Sequence, residues 1–252
     1  MKSVNTERDL GVLTSNSFTW NENINNAINK ANSTIAWISR SIINRSEPVM
    51  MLIYKSLIRP HIEYCVQVWN PVPQRGTWDT ILAIENVQRR FTRLIDGIGL
   101  LPYRERLQKL KLTTLAERRA RGDLIETYKI ISGSVNYGSN LFKLSRSGVN
   151  IVSTSGVNGC NRELFKERVI RMWNSLPLFV KISKSVENFK INLDKHKRTS
   201  INVGQNYWDV SEELLGKIES VTSDYSRNNY VEFMRDNPWV AKRRGINVRV
   251  PL

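Results

Sequence analysis

The chain has 252 residues, 40% hydrophobic and 9% aromatic, which suits one large folded domain or two small ones and excludes a wholly disordered chain. A net charge of +15 points toward polyanions, and two cysteines, Cys65 and Cys160, are too few for a disulfide framework. No apolar run approaches the roughly 20 residues of a membrane span, and MKSVNTERDLGVLTS lacks a signal peptide's apolar stretch, so an intracellular protein, nuclear or cytoplasmic, without a membrane partner is expected.

The charge is uneven. Residues 207–252 hold seven basic and seven acidic residues, so the excess lies in 1–206. Near the N-terminus, residues 10–13 read as a short strand or turn. A helix is predicted over 21–45, where Ile24, Ile28, Ala31, Ile35, Ile38 and Ile42 step by four and three along one face, with Trp37 at its edge. Ser46-Glu47-Pro48 reads as a helix start with the serine as cap. Met51, Tyr54, Leu57 and Ile58 follow at helical spacing. Pro60 kinks or breaks that helix, because it lacks an N–H and crowds the previous turn. A second piece is expected to run through Ile62 and Val66 to Trp69, ended by Asn70-Pro71-Val72-Pro73.

The next helix is predicted over 77–94, with Ile81, Ile84, Val87, Phe91 and Leu94 as its apolar face. Arg89, Arg90 and Arg93 lie beside or behind that face, and Gly97 and Gly99 stop the helix. A short helix spans 102–110. Thr113 or Thr114 caps a longer one reaching Ile131, with Leu115, Leu124, Ile125, Tyr128 and Ile131 apolar and Arg118, Arg119, Arg121 and Lys129 basic. Residues 132–159, rich in Ser, Gly and Asn, read as loop or weak strands. Helices follow over 161–173 (Leu164, Phe165, Val169, Ile170, Trp173) and 183–196 (Phe189, Ile191, Leu193). In the tail, helices are expected near 211–221 and 227–236, before an irregular end. The fold class expected is mainly α: a helical bundle with a short strand or turn near the N-terminus, a loop-rich middle and a helical tail.

The densest chemistry by eye is SLIRPHIEYCVQVWNP, residues 56–71. His61, Glu63 and Cys65 alternate, so on a helix they point to different sides and cannot share an ion. Structural zinc wants four ligands, and Cys160 and His196 are distant in sequence. No metal site or cofactor is expected. Cys65 reads as a small buried residue, Glu63 as a local ion pair with Arg59, Trp69 as core. There is no Gly-x-Ser-x-Gly turn, Walker loop or Gly-x-Gly-x-x-Gly. Glu212-Glu213, the one adjacent acidic pair, reads as a solvated helix face rather than a magnesium site.

What remains is basic. Arg89, Arg90, Arg93, Arg104, Arg106, Arg118, Arg119 and Arg121 fall within residues 89–121. Guanidinium forks match phosphate in two-point contacts, and helices bearing them on a common face track a nucleic-acid backbone. A solvated surface laced by Glu85, Glu105, Glu117 and Glu126 fits the same composition, which leaves both readings open.

Several stretches in order resemble one family. LIYKSLIRPHIEYCVQVWNP, ILAIENVQRRFTRLI and YRERLQKLKLTTLAERRARGDLIETYKIISG are similar to the C-terminal part of jockey-like reverse transcriptases, from retrotransposons without long terminal repeats. DLGV, residues 9–12, resembles the segment just after that family's polymerase palm. FKERVIRMWNSLP, residues 165–177, resembles its later R-V-x-x-W-N-x-L-P signature, and FKINLDK its close. The resemblance covers roughly residues 7–196. It implies a helical thumb and post-thumb region that grips template–primer duplex, while a palm does the chemistry with magnesium held by a Tyr-x-Asp-Asp motif. That motif is absent from this sequence.

The expectation is therefore a truncated RNA-directed DNA polymerase fragment, not an enzyme on its own, needing magnesium only where another chain supplies a palm. Expected partners are RNA, DNA or RNA–DNA hybrid, with a palm-bearing chain or self-association through an exposed palm-docking surface as further possibilities. Expected contact residues are Arg89, Arg90, Arg93, Arg118, Arg119, Arg121 and Lys129; no catalytic or metal residue is assigned. Arg59, Pro60, Glu63, Tyr64, Trp69, Asn70, Pro71, Trp173, Asn174 and Pro177 are structural hallmarks on the same resemblance. The expected divisions are a thumb-like region over 1–131, loop or weak strands over 132–160, a post-thumb helical region over 161–198 and an unrelated, partly helical tail over 199–252. Within that tail, RNNYVEFMRDNPWVAKRRGI resembles the start of zeste-like Myb/SANT modules, in a piece too short for three helices; neighbouring genomic sequence is the alternative. The remaining alternatives are a host-adopted nucleic-acid-binding or protein-interaction protein and a non-functional retroelement relic.

Overall fold

A computed structural model describes residues 6–16, 19–71, 77–137, 140–152, 165–200 and 212–219, and these are mainly helical with two small antiparallel sheets. The first sheet is a hairpin of β1 (Thr6–Asp9) and β2 (Val12–Ser15). Its two turn residues, Leu10 and Gly11, both have positive φ, 44° and 86°. That pair of left-handed residues matches the twist of the strands it joins. The Leu10 side chain is left in solvent, while the Tyr64 hydroxyl donates to the Leu10 carbonyl at 2.7 Å.

Helix α1 (Asn21–Ser41) follows, and the Leu13 amide donates to the Asn23 carboxamide at its start. Ile24, Ala31, Ile35 and Ile38 are buried, and Ile28 and Ile42 pack on the same core. The helix stops at Ser41 rather than continuing to 45, because Ile42 turns extended. There Arg45 folds back, donating to the Ser39 and Ile42 carbonyls. Trp37 faces solvent on about half its surface.

α2 (Glu47–Ile53) begins after Ser46 with Pro48 in the first turn, but the Ser46 side chain makes no capping bond. The chain then widens into a π-helical turn, Tyr54–Ile58, before α3 (Arg59–Glu63). The Arg59 amide donates to the Tyr54 carbonyl five residues back. This is the physical answer to Pro60. Its ring would strike the carbonyl four residues earlier in a normal turn, and a widened turn takes up the insult without ending the helix. The real break comes later. Tyr64 is extended and Cys65 is left-handed at φ 53°, so the piece expected to run unbroken to Trp69 is instead α3 followed by a separate short α4 (Val66–Trp69). The Trp69 indole donates to the Tyr64 carbonyl at 2.8 Å, satisfying a group that the break releases.

α5 (Trp78–Thr92) buries Ile81, Ile84, Val87 and Phe91 as expected, and Leu94 just beyond it. α6 (Tyr103–Lys109) leads to α7 (Leu115–Ile131), capped by the Thr114 hydroxyl accepting from the Glu117 amide at 3.2 Å. The middle holds the second sheet, β3 (Lys143–Leu144) with β4 (Ile151–Val152). Then come α8 (Phe165–Ser175), α9 (Leu178–Lys181) and α10 (Val186–Ser200). α9 has no counterpart in the expected elements, and Ile191, read as apolar packing, is mostly exposed while Phe189 and Leu193 are fully buried. Leu164 lies outside the described residues.

Residues 1–211 form one compact unit and 212–252 another. The first unit has two apolar clusters. One gathers α1, α2, the π-turn, α3, α4 and α5 around Ile35, Tyr54, Trp69 and Phe91; the other gathers α7 to α10 around Leu124, Trp173 and Phe189. α7 serves both, with Leu115 in the first and Leu124 and Tyr128 in the second. In the second unit, 212–219 is helical and Glu213 pairs with Lys217. The helix expected over 227–236 and the zeste-like stretch lie outside the described residues. Among the described residues no helix is long and apolar enough to cross a membrane.

Candidate nucleic-acid interface

The hallmark residues sort into packing and polar pinning. Arg59 pairs with Glu63 one turn on at 3.5 Å, and Arg118 of α7 also reaches Glu63. Asn70, buried just past α4, donates to the Asp123 carboxylate at 2.9 Å and accepts from Arg119 Nε at 2.9 Å. The same carboxylate takes both arms of Arg168, at 2.8 and 2.9 Å, and Arg168 donates onward to the Gln67 carbonyl. This buried network ties α4, α7 and α8 together. Trp173 donates to the Val149 carbonyl, and the Asn174 carboxamide brackets Ile151, accepting from its amide and donating to its carbonyl at 2.9 Å each. Pro177 opens α9.

His61, Glu63 and Cys65 do not converge. Among the described residues no three His, Cys, Asp or Glu side chains come together to hold a metal. Cys65, left-handed at φ 53°, is partly exposed rather than buried. His61 opens with Tyr64, Asn26 and Lys30 onto a cavity of about 290 Å³ between the hairpin, α1 and α3.

The basic residues divide by helix. On α7, Arg119 is interior, 3% exposed, and spent on Asn70. Arg121 grips Asp194 of α10 with both arms, at 2.7 and 2.9 Å; Lys129 pairs with Glu126, and Arg118 with Glu63. The common basic face expected along α7 is therefore not there. Its cations are turned to separate partners: Asp194 of α10 takes Arg121, Glu63 of α3 takes Arg118, Asn70 takes Arg119, and Glu126 on the same helix takes Lys129. The expected acid lacing also differs. Glu85 is fully buried, accepting from the Tyr103 hydroxyl at 2.5 Å and from the Leu115 amide at 2.8 Å. Burial pushes its carboxyl above the usual range; the Tyr103 bond, the Arg119 charge and the Leu115 and Ala116 amides pull the other way without prevailing. Gln88 joins this interior group, donating to Tyr103 and to the Thr113 carbonyl while accepting from the Tyr54 hydroxyl.

α5 is different. Arg90 and Arg93 are exposed and Arg89 half-exposed, and among the described residues none of the three forms an ion pair. Arg89 reaches only the Asn86 carboxamide, at 3.4 Å. Burial, then the charge of Arg93, draws the Arg89 pKa down; burial alone does so for Arg93. Arg106 of α6 lies beneath, 1% exposed, donating Nη1 to the Arg89 carbonyl and to the Thr92 hydroxyl at 2.8 Å each. Sequence reasoning noticed Arg106 but assigned it no role; only the crossing of α6 on α5 reveals it.

Searches of known proteins find no matching family model, no matching curated protein and no matching solved structure.

Proposed function

We propose that this chain is a nucleic-acid-binding protein of the reverse-transcriptase thumb kind, gripping a duplex backbone through α5 and carrying out no polymerase chemistry by itself. The observation that supports it is the free cationic face of α5. Among the described residues Arg89, Arg90 and Arg93 carry no acidic partner, in a chain of net charge +15, whereas each α7 cation has a partner within the chain. Unneutralised guanidiniums on one exposed helix suit phosphate oxygens, and each contact releases counterions, so binding falls steeply with salt. Positioning by phosphate contact carries no sequence information, in keeping with a grip on template–primer rather than a reader of bases. The sequence holds no Tyr-x-Asp-Asp, so magnesium chemistry belongs to a separate palm-bearing chain in this reading.

The test is fluorescence anisotropy on a short RNA–DNA hybrid at several salt concentrations, with circular dichroism on the same samples. Salt-sensitive binding that drops when Arg89, Arg90 and Arg93 become alanine, with helicity intact, supports the reading. A folded wild-type chain that ignores the duplex at low salt overturns it. One observation favours a second reading, a protein-contact role: Leu178, Phe179 and Ile182 of α9 and its end are exposed on roughly half their surface or more. Sedimentation of the chain alone distinguishes self-association through these residues from a monomer.

A further inference from the structure

The C-terminal end of α5 has an unusual electrostatic arrangement. A helix C-terminus carries a partial negative charge on its last carbonyls and ordinarily repels anions. Here Arg106 is laid across that end, bonded to the Arg89 carbonyl and to the Thr92 hydroxyl, which itself donates to the Arg89 carbonyl at 3.1 Å. Its guanidinium also sits 5.3 Å from the Tyr103 ring centre. Unlike Arg168, which is buried against the Asp123 carboxylate, Arg106 faces no carboxylate in an ion pair among the described residues, and its Nε has no hydrogen-bond partner there. Arg89 and Arg93 stand above it one helical turn apart, on the same side of α5. Asp96, three residues past Arg93, and Glu105, next to Arg106, are exposed and pair with none of them.

Burial, then the charge of Arg93, draws the Arg106 pKa down to about 10, with Arg89 adding to it and Tyr103 opposing. Three cations kept together with no paired acid among the described residues leave a standing repulsion that a bound anion relieves.

We infer that this end of α5 is a binding site for one phosphate group, gripped by Arg89 and Arg93, with Arg106 as the positioning residue that cancels the negative helix end beneath them. Tetrahedral phosphate oxygens suit two guanidinium forks approaching from one side. Arg106, being buried, does not touch the ligand. It fixes the backbone from which Arg89 projects and supplies charge from below. This deepens the nucleic-acid reading and rests on it for the source of the phosphate, a backbone phosphodiester; free inorganic phosphate presents the same chemistry.

The experiment uses the full chain in two arms. In the first, arginine side-chain N–H signals are followed by nuclear magnetic resonance as inorganic phosphate is added, with chloride at equal ionic strength as control. In the second, the salt slope of RNA–DNA hybrid binding is compared for wild type, Arg93→Ala, Arg106→Met and Arg106→Lys. The expected results are phosphate-specific shifts at Arg89 and Arg93, and a slope lower by about one for Arg93→Ala. Arg106→Met is expected to weaken hybrid binding, with Arg106→Lys restoring most of it, a rescue that loss of packing alone would not give. Should Arg106→Met fail to fold, Arg93→Ala still decides, because Arg93 is exposed. Hybrid binding with an unchanged Arg93→Ala slope and no phosphate-specific shift overturns the site while leaving the broader reading standing. Phosphate-specific shifts without any hybrid binding keep the site and sink the nucleic-acid reading.

Discussion

Glu85 shows how a single residue can defeat a surface pattern. Three positions after Leu82 and four before Arg89, it looks like one more charge on a helix, yet it is fully buried among Tyr103, Gln88 and the start of α7. Burial raises its pKa above the ordinary value of about 4.5, so the folded state holds that proton more tightly than the unfolded chain. The resulting stability is complete below the ordinary value and is lost as pH climbs through the raised one. Thermal melts across that window should show a decline in wild type that Glu85→Gln flattens. Asp123 is the opposite case, a buried carboxylate with Arg168 and Asn70 to answer it. Asp123→Ala leaves Arg168 charged in the interior and is expected to cost about 3–5 kcal/mol by urea unfolding; a loss under 1 kcal/mol would show that the network contributes little.

Between elements, the contrast is α5 against α7. Both carry arginines at similar density, and their sequences alone do not rank them. Packing does. The second cluster closes over α7, and Asp194 and Glu63 meet Arg121 and Arg118. Arg118→Ala and Arg121→Ala should leave hybrid affinity and salt slope nearly unchanged, while each costs up to about 1 kcal/mol of stability as a partly exposed pair. Anisotropy and melting on the same proteins check both halves. An equal loss of affinity from α7 and α5 variants would mean the α7 pairs open to reach phosphate. The apolar stripe of α1 and the face of α5 were legible from spacing alone, because a 3.6-residue period survives whatever the partner is. The break at Cys65 was not. It needs a left-handed residue that no local signal demands, supported by the Trp69 indole and by Tyr64 reaching the hairpin.

Across the larger unit, α7 makes the two apolar clusters interdependent. It gives Leu115 to one and Leu124 and Tyr128 to the other, and Asp123 bridges to Asn70 and Arg168. Trp173→Ala, which empties a large site in the second cluster at a cost of about 3–5 kcal/mol, should therefore lower hydrogen-exchange protection in α1 as well as α8. Protection in α1 that stays at the wild-type level would show two independently unfolding halves. By itself the sequence determined the mainly helical class, the long amphipathic helices and the excess of positive charge, since periodicity and composition are properties of the chain. That Arg119 and Arg121 are occupied, that Glu85 is interior and what Arg106 does were decided only in three dimensions, because each depends on a partner 14 or more residues away that no local pattern names.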